Sequence, residues 1–194
     1  AGTGGGESGA DLLSFINGGF TEFVAPEGTK TLREYLISKV TSLKRADLRN
    51  VETGIGAYCF QNCSSLEDVL MPNAALTIGG RVFLNCTAIK RFEYLGAAML
   101  YSGGPSVFEG CTALEEAYLP NLKLSGNTQS FKNCASLRKV TISGTRCGQN
   151  MFNGCTVLDK IIIKNSNEII YHIHSLFCVI IKILTRLIVK VFIR

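Results

Sequence analysis

The sequence predicts a solenoid, a stack of coils that each give one short strand to a parallel sheet. Three observations carry this. A frame of Phe, Cys and Leu or Ile at three-residue spacing recurs as Phe60-Cys63-Leu66, Phe83-Cys86-Ile89, Phe108-Cys111-Leu114, Phe131-Cys134-Leu137 and Phe152-Cys155-Leu158. Its cysteines fall 23, 25, 23 and 21 residues apart, the period of repeats that bury their apolar face only by stacking on neighbours. Each frame then runs into an alternating segment: LEDVLMP, IKRFEYL, LEEAYLP, LRKVTIS and LDKIIIK. The fourth and sixth places are mostly apolar and the third and fifth mostly polar, the two-residue period of a strand with one buried face.

Residues 1–9 are glycine-rich with no apolar period and read as a flexible linker. A phosphate-cradling loop is set aside, because no strand precedes the glycines and no Gly-Lys-Ser/Thr follows. Residues 10–27 read as an N-terminal cap, with ADLLSFI as a helix or turn and FTEFVAP as a first strand. The repeats occupy residues 28–164. Their first unit is degenerate, with Ile37 and Val40 standing where later units have Phe and Cys, before Leu43 and LKRADL. Such departures are expected in the unit that closes an open core. IGAYCF and IGGRVF mark the return leg of two coils, and YSGGPSVF holds the extra residues of a longer one. Pro72 and Pro120 are expected to end their strands, where a missing N–H is tolerated.

Residues 169–194, IIYHIHSLFCVIIKILTRLIVKVFIR, break from the frame. Lys182, Arg186, Lys190 and Arg194 recur every four residues. On a helix they form one basic stripe about 120° wide. The same spacing fits a strand, which the β-branched residues favour; the length favours a helix. The longest uncharged run, from Ile169, is thirteen residues, short of the roughly 20 that a membrane-spanning helix needs. The tail, residues 165–194, is therefore expected to hold a helix that caps the last coil or lies on a membrane surface. A segment with no selected role is the alternative.

The frame L-x-x-V-x-L-P followed by I-G-x-x-x-F-x-x-C resembles the BspA-like, or treponemal-type, leucine-rich repeats. The match covers residues 28–164 and is closest in residues 55–72 and 78–95. It implies a leucine-rich repeat solenoid with an N-terminal cap. It further implies a bacterial cell-surface or secreted protein, in which such repeats are modules that bind host or matrix proteins. Similar repeats occur in phage structural proteins, and GADLLSFINGGFTEFVAPEGTKTLREY looks like the lead-in seen there, which makes a phage tail or virion module the alternative. Neither resemblance brings catalytic residues or a cofactor.

Charge narrows the partners. The net charge is +5, and residues 165–194 hold +3 of it, leaving the body only +2. Nucleic acid, which needs a concentrated basic surface, is not the expected partner. The eight cysteines admit a disulfide framework, a zinc site or a Cys–His nucleophile (Cys178 with His172 or His174). Side chains one per coil lie about 4.8 Å apart in parallel, wider than the roughly 3.5–4.5 Å between Cβ atoms that a disulfide wants, and a line of ligands does not converge on a metal. The favoured reading is a column of buried free thiols, since Cys is small and apolar in behaviour. Asn62-Cys63-Ser64 and Asn85-Cys86-Thr87 have the form of glycosylation sequons, but the frame itself generates them as turns.

Aligning the strands gives three outward columns. Lys44, Glu67, Lys90, Glu115, Arg138 and Asp159 alternate in sign throughout, and Arg45, Asp68, Arg91, Glu116, Lys139 and Lys160 do so until the last member. Opposite charges on neighbouring strands support register and solubility. The third column, Asp47, Leu70, Glu93, Tyr118, Thr141 and Ile162, mixes aliphatic, aromatic and polar groups. From it, Leu70, Glu93, Tyr118, Thr141 and Ile162 are the candidate contacts for a protein or glycan ligand. No acid–base or nucleophile constellation lies within the repeats, so an enzyme is not expected. Membrane contact is possible only through residues 169–194.

Overall fold

The computed structural model describes residues 19–100, 106–123, 129–143, 150–164 and 169–172. The capping segment at residues 10–16, and the tail from residue 173 on, lie outside the described residues.

The expected strand is found in each coil: β1 (Glu22–Val24), β3 (Arg45–Asp47), β5 (Asp68–Leu70), β7 (Arg91–Glu93), β9 (Glu116–Lys123), β10 (Lys139–Ser143) and β11 (Lys160–Lys164). Their pairings with one another are parallel, and the register is the one that the alternation sets: Phe23, Ala46 and Val69 align, as do Phe92, Ala117, Val140 and Ile161. β1 already pairs with β3, so the stack begins inside the stretch read as a cap.

Each of the first four coils also carries a second strand: β2 (Thr31–Leu32), β4 (Gly54–Ile55), β6 (Leu76–Ile78) and β8 (Ala98–Leu100). These pair in sequence as a second parallel sheet, and β8 pairs with the far end of β9. Pro120 does not end its strand. β9 runs through it and joins both sheets, and the partner register jumps from Ile142↔Leu119 to Ser143↔Lys123. Proline offers no N–H to the ladder, so the irregularity falls there.

At the start of the tail Ile169–His172 forms β12, antiparallel to β11; the expected helix otherwise falls on residues outside those described. The β-branched composition suits a strand at this point, and the basic stripe from Lys182 to Arg194, which carried the helical reading, lies outside the described residues.

The return legs are built from left-handed turns. The residue before the Cys position has positive φ in six successive units: Lys39 (66°), Asn62 (60°), Asn85 (57°), Gly110 (76°), Asn133 (62°) and Gly154 (83°). Asn and Gly are the residues that take this conformation at least cost, so the Asn-Cys pairs are turn chemistry. Asn85 Nδ2 donates to Asn62 Oδ1 at 3.0 Å. At Gly110 an added Cβ would lie 2.2 Å from Asn85 Oδ1, so a side chain there would require the Asn85 amide to turn away.

The core is columnar. Phe60, Phe83, Phe108, Phe131 and Phe152 stack with centroids 5.5–5.6 Å apart, an offset geometry that aromatic pairs favour. Beside them the thiols form a second column. Cys63 Sγ donates to the Ile37 carbonyl at 3.1 Å, and Cys86, Cys111, Cys134 and Cys155 donate to the carbonyls of Phe60, Phe83, Phe108 and Phe131 at 3.0–3.1 Å. Each thiol thus ties its coil to the one before.

Candidate recognition face

The strand set that follows the Leu position carries the candidate contacts, and the register places them in line. Asp47 pairs with Leu70, Glu93 with Tyr118, Tyr118 with Thr141 and Thr141 with Ile162. Glu93 is exposed, and Leu70, Tyr118 and Ile162 are half-buried. Thr141 is only 1% exposed. It holds the outward position between Tyr118 and Ile162 but presents no surface, so it spaces the column rather than offering a contact. Lys164 reaches back across the column, its Nζ 5.8 Å from the Tyr118 ring centroid, a cation–π distance.

Asp47, at the head of the column, is nearly buried and held by its neighbour. Arg49 donates from Nε to Oδ1 at 2.9 Å and from Nη2 to Oδ2 at 2.6 Å. These hydrogen bonds keep the Asp47 carboxyl below its usual value, against the opposing effect of burial. Its charge is spent inside the molecule.

The two charge columns flank this line in the register expected. The backbone follows it: Glu67 N–H donates to the Lys44 carbonyl, Glu115 to Lys90, Arg138 to Glu115 and Asp159 to Arg138. In the second column Arg45 pairs with Glu22 at 3.3 Å, and Lys139 bridges to Glu116. The first column is exposed throughout, and among the described residues its members form no ion pair within 4 Å. Its alternation therefore acts through solvent, where each interaction is small.

Burial holds the thiols of the column in their protonated form. Desolvation pushes Cys59 and Cys63 up to about 12 and raises Cys86 and Cys111 well above the ordinary value of 9.0. A nucleophile needs the opposite shift. Cys178, His174 and the rest of the proposed Cys–His grouping in the tail fall outside the residues whose side chains are described.

One surface group escaped the sequence reading. Tyr35 and Tyr58 stack at 4.8 Å and 3° between ring planes. Arg81 lies over the Tyr58 ring and donates from Nη1 to its phenol oxygen at 2.9 Å. All three have φ between 56° and 59°. Their spacing of 23 residues was the available signal, hidden because the repeat was aligned on its apolar positions.

Comparison with known proteins follows the geometry. The family model described as the BspA type leucine rich repeat region matches residues 13–98 and 99–185, in six copies. A leucine-rich repeat protein from Bacteroides ovatus ATCC 8483 is similar at 23% identity and a TM-score of 0.48, over 71% of this chain and 47% of that one. The T. pallidum leucine rich repeat protein is similar at 16% identity and a TM-score of 0.45, over 71% of this chain and 77% of that one. This chain thus spans about half the length of the Bacteroides protein. The comparison with curated proteins finds no match. Leucine-rich repeats generally serve as protein-interaction modules and are typically non-catalytic. With the family model matched along most of its length, the chain belongs to the BspA-type leucine-rich repeat family.

Proposed function

We propose that the chain is a non-catalytic recognition module of a bacterial surface or secreted protein, and that it binds a protein or glycan through the face of β5, β7, β9 and β11. The observation that carries this is the column itself. Leu70, Glu93, Tyr118 and Ile162 offer an aliphatic, an acidic, an aromatic and a second aliphatic group from parallel strands. Side chains fixed on strands lose little freedom when a partner docks, and an aromatic anchor with aliphatic neighbours is the composition of interface centres. The flanking charge columns alternate, so they discriminate by position and not by net attraction.

The test is binding of the full chain to arrays of purified matrix proteins and, in parallel, of defined glycans. The reading expects saturable binding to a member of one array. It expects at least a tenfold loss on the double substitution Leu70→Ala and Tyr118→Ala, with no loss on Thr77→Ala, an exposed position of the second sheet. Equal losses from both variants, or a loss from Thr77→Ala alone, would place recognition elsewhere.

A further inference from the structure

The strand face is laddered at every junction but one. At the other junctions a repeated set of bonds joins consecutive strands. Ala25 N–H donates to the Asp47 carbonyl at 2.8 Å, Leu48 to Leu70 at 2.8 Å and Tyr94 to Tyr118 at 3.0 Å. Two consecutive N–H groups also converge on one carbonyl of the strand before. Glu67 and Asp68 donate to Lys44 at 2.8 and 3.1 Å, and Glu115 and Glu116 to Lys90 at 2.8 and 3.3 Å. Arg138 and Lys139 donate to Glu115, and Asp159 and Lys160 to Arg138, in the same way. Between β5 and β7 the equivalent donors are Met71, Lys90 and Arg91, and the equivalent acceptors are the carbonyls of Glu93 and Glu67. Among the described residues none of these bonds forms, and the sheet order β1-β3-β5 stops there.

Everything around this seam is closed. Before the strands, Phe60 N–H donates to the Val82 carbonyl at 2.9 Å and Asn62 to Leu84 at 2.8 Å. The Thr87 hydroxyl donates to the Ser64 carbonyl at 3.2 Å. After the strands, the Tyr94 phenol donates to the Ala74 carbonyl at 2.7 Å and accepts from Leu76 N–H at 3.0 Å. Behind them β6 and β8 pair in full register. The opening is therefore confined to the front of the molecule, midway along the contact column between Leu70 and Glu93.

We infer that this seam is a joint in the recognition face, with an open state and a laddered closed state, pivoting on the β6–β8 pairing. Closure would give the Met71, Lys90 and Arg91 N–H groups protein acceptors, and a hydrogen bond gained in exchange for one to water has a small net free energy, so the two states lie close enough for a partner to choose between them. Closure would also bring Glu67 and Asp68 toward Lys90 and Arg91, two acids against two bases, so it is favoured at low ionic strength. This inference rests on the proposed recognition role: a ligand that spans Leu70 and Glu93 senses the angle between the panel β1-β3-β5 and the strands beyond.

The test uses the free protein, so its outcome is separate from that of the binding experiment. Amide exchange by NMR is expected to be on the order of 100-fold faster at Met71, Lys90 and Arg91 than at their register equivalents Leu48, Glu67 and Asp68. Relaxation dispersion is expected on both seam strands, absent from β3 and β10, and altered by salt. Tyr94→Phe, which removes the phenol tie at one end, should enlarge it. Equal protection of the two sets of amides would overturn the open state. Fast exchange without dispersion in either protein would show a fixed gap and overturn the joint.

Discussion

At the scale of the residue, the cysteine in each frame fills a space and spends its one proton. The carbonyl that takes the thiol also takes a backbone N–H from its own turn: Phe83 accepts from Cys86 N–H at 3.2 Å and from Cys111 Sγ at 3.1 Å. Cys111→Ala removes both the sulfur's packing and that link. It should cost about 1–2 kcal/mol in urea unfolding. The pH dependence has a definite sign. Cys59 and Cys63 titrate near 12 when folded, against 9.0 ordinarily. The unfolded chain therefore releases these protons first, and the stability they contribute is complete below pH 9 and lost as pH rises from 9 to 12. The urea midpoint should hold steady up to about pH 8.5 and fall above 9, with a shallower fall in Cys63→Ala. A third residue-scale expectation concerns Gly110. Gly110→Ala forces a Cβ against Asn85 Oδ1 and a positive φ on alanine, at a cost of about 1–3 kcal/mol. Adding Asn85→Ala should recover the steric part and leave the backbone part, which a double-mutant cycle separates.

At the scale of the element, the strand after the Leu was legible because its alternation is long enough to see. In LEEAYLP three inward positions, Leu114, Ala117 and Leu119, are all buried. The second sheet was not. Gly54–Ile55 and Thr31–Leu32 are two residues each, too short for a period, and Ile55 and Gly56 read only as the opening of a return leg. Gly56 is in fact a packing residue: an added Cβ there would lie 2.5 Å from the Glu34 nitrogen of the preceding coil. The charge columns were legible as columns, but sequence spacing does not say which charges touch. Lys139→Ala, which breaks the bridge to Glu116, should lower stability by about 0.3–1 kcal/mol, less in high salt. Arg138→Ala, one residue earlier and without an ion pair within 4 Å among the described residues, should be close to neutral. Equal effects would mean that the second column's pairs do not hold in solution.

At the scale of the molecule, stacking order and core came through from one period, while coverage did not. Thr141 shows the difference. Alignment gives the direction of a side chain, and its exposure depends on what neighbouring strands and their long side chains lay over it. The start of the tail shows it again, since a short β-branched run such as Ile169–His172 becomes a strand by pairing with β11. An exposed sheet edge is a liability that proteins cover, so deleting residues 169–194 should lower the melting temperature and promote self-association, read by calorimetry and light scattering. The recognition face is the claim on which the rest depends, and backbone exchange of the whole chain with and without its array-identified partner tests it most directly. Slower exchange on binding at β5, β7 and β9, with β4 and β6 unchanged, is the predicted result. Protection confined to the second sheet or to the return legs would contradict it.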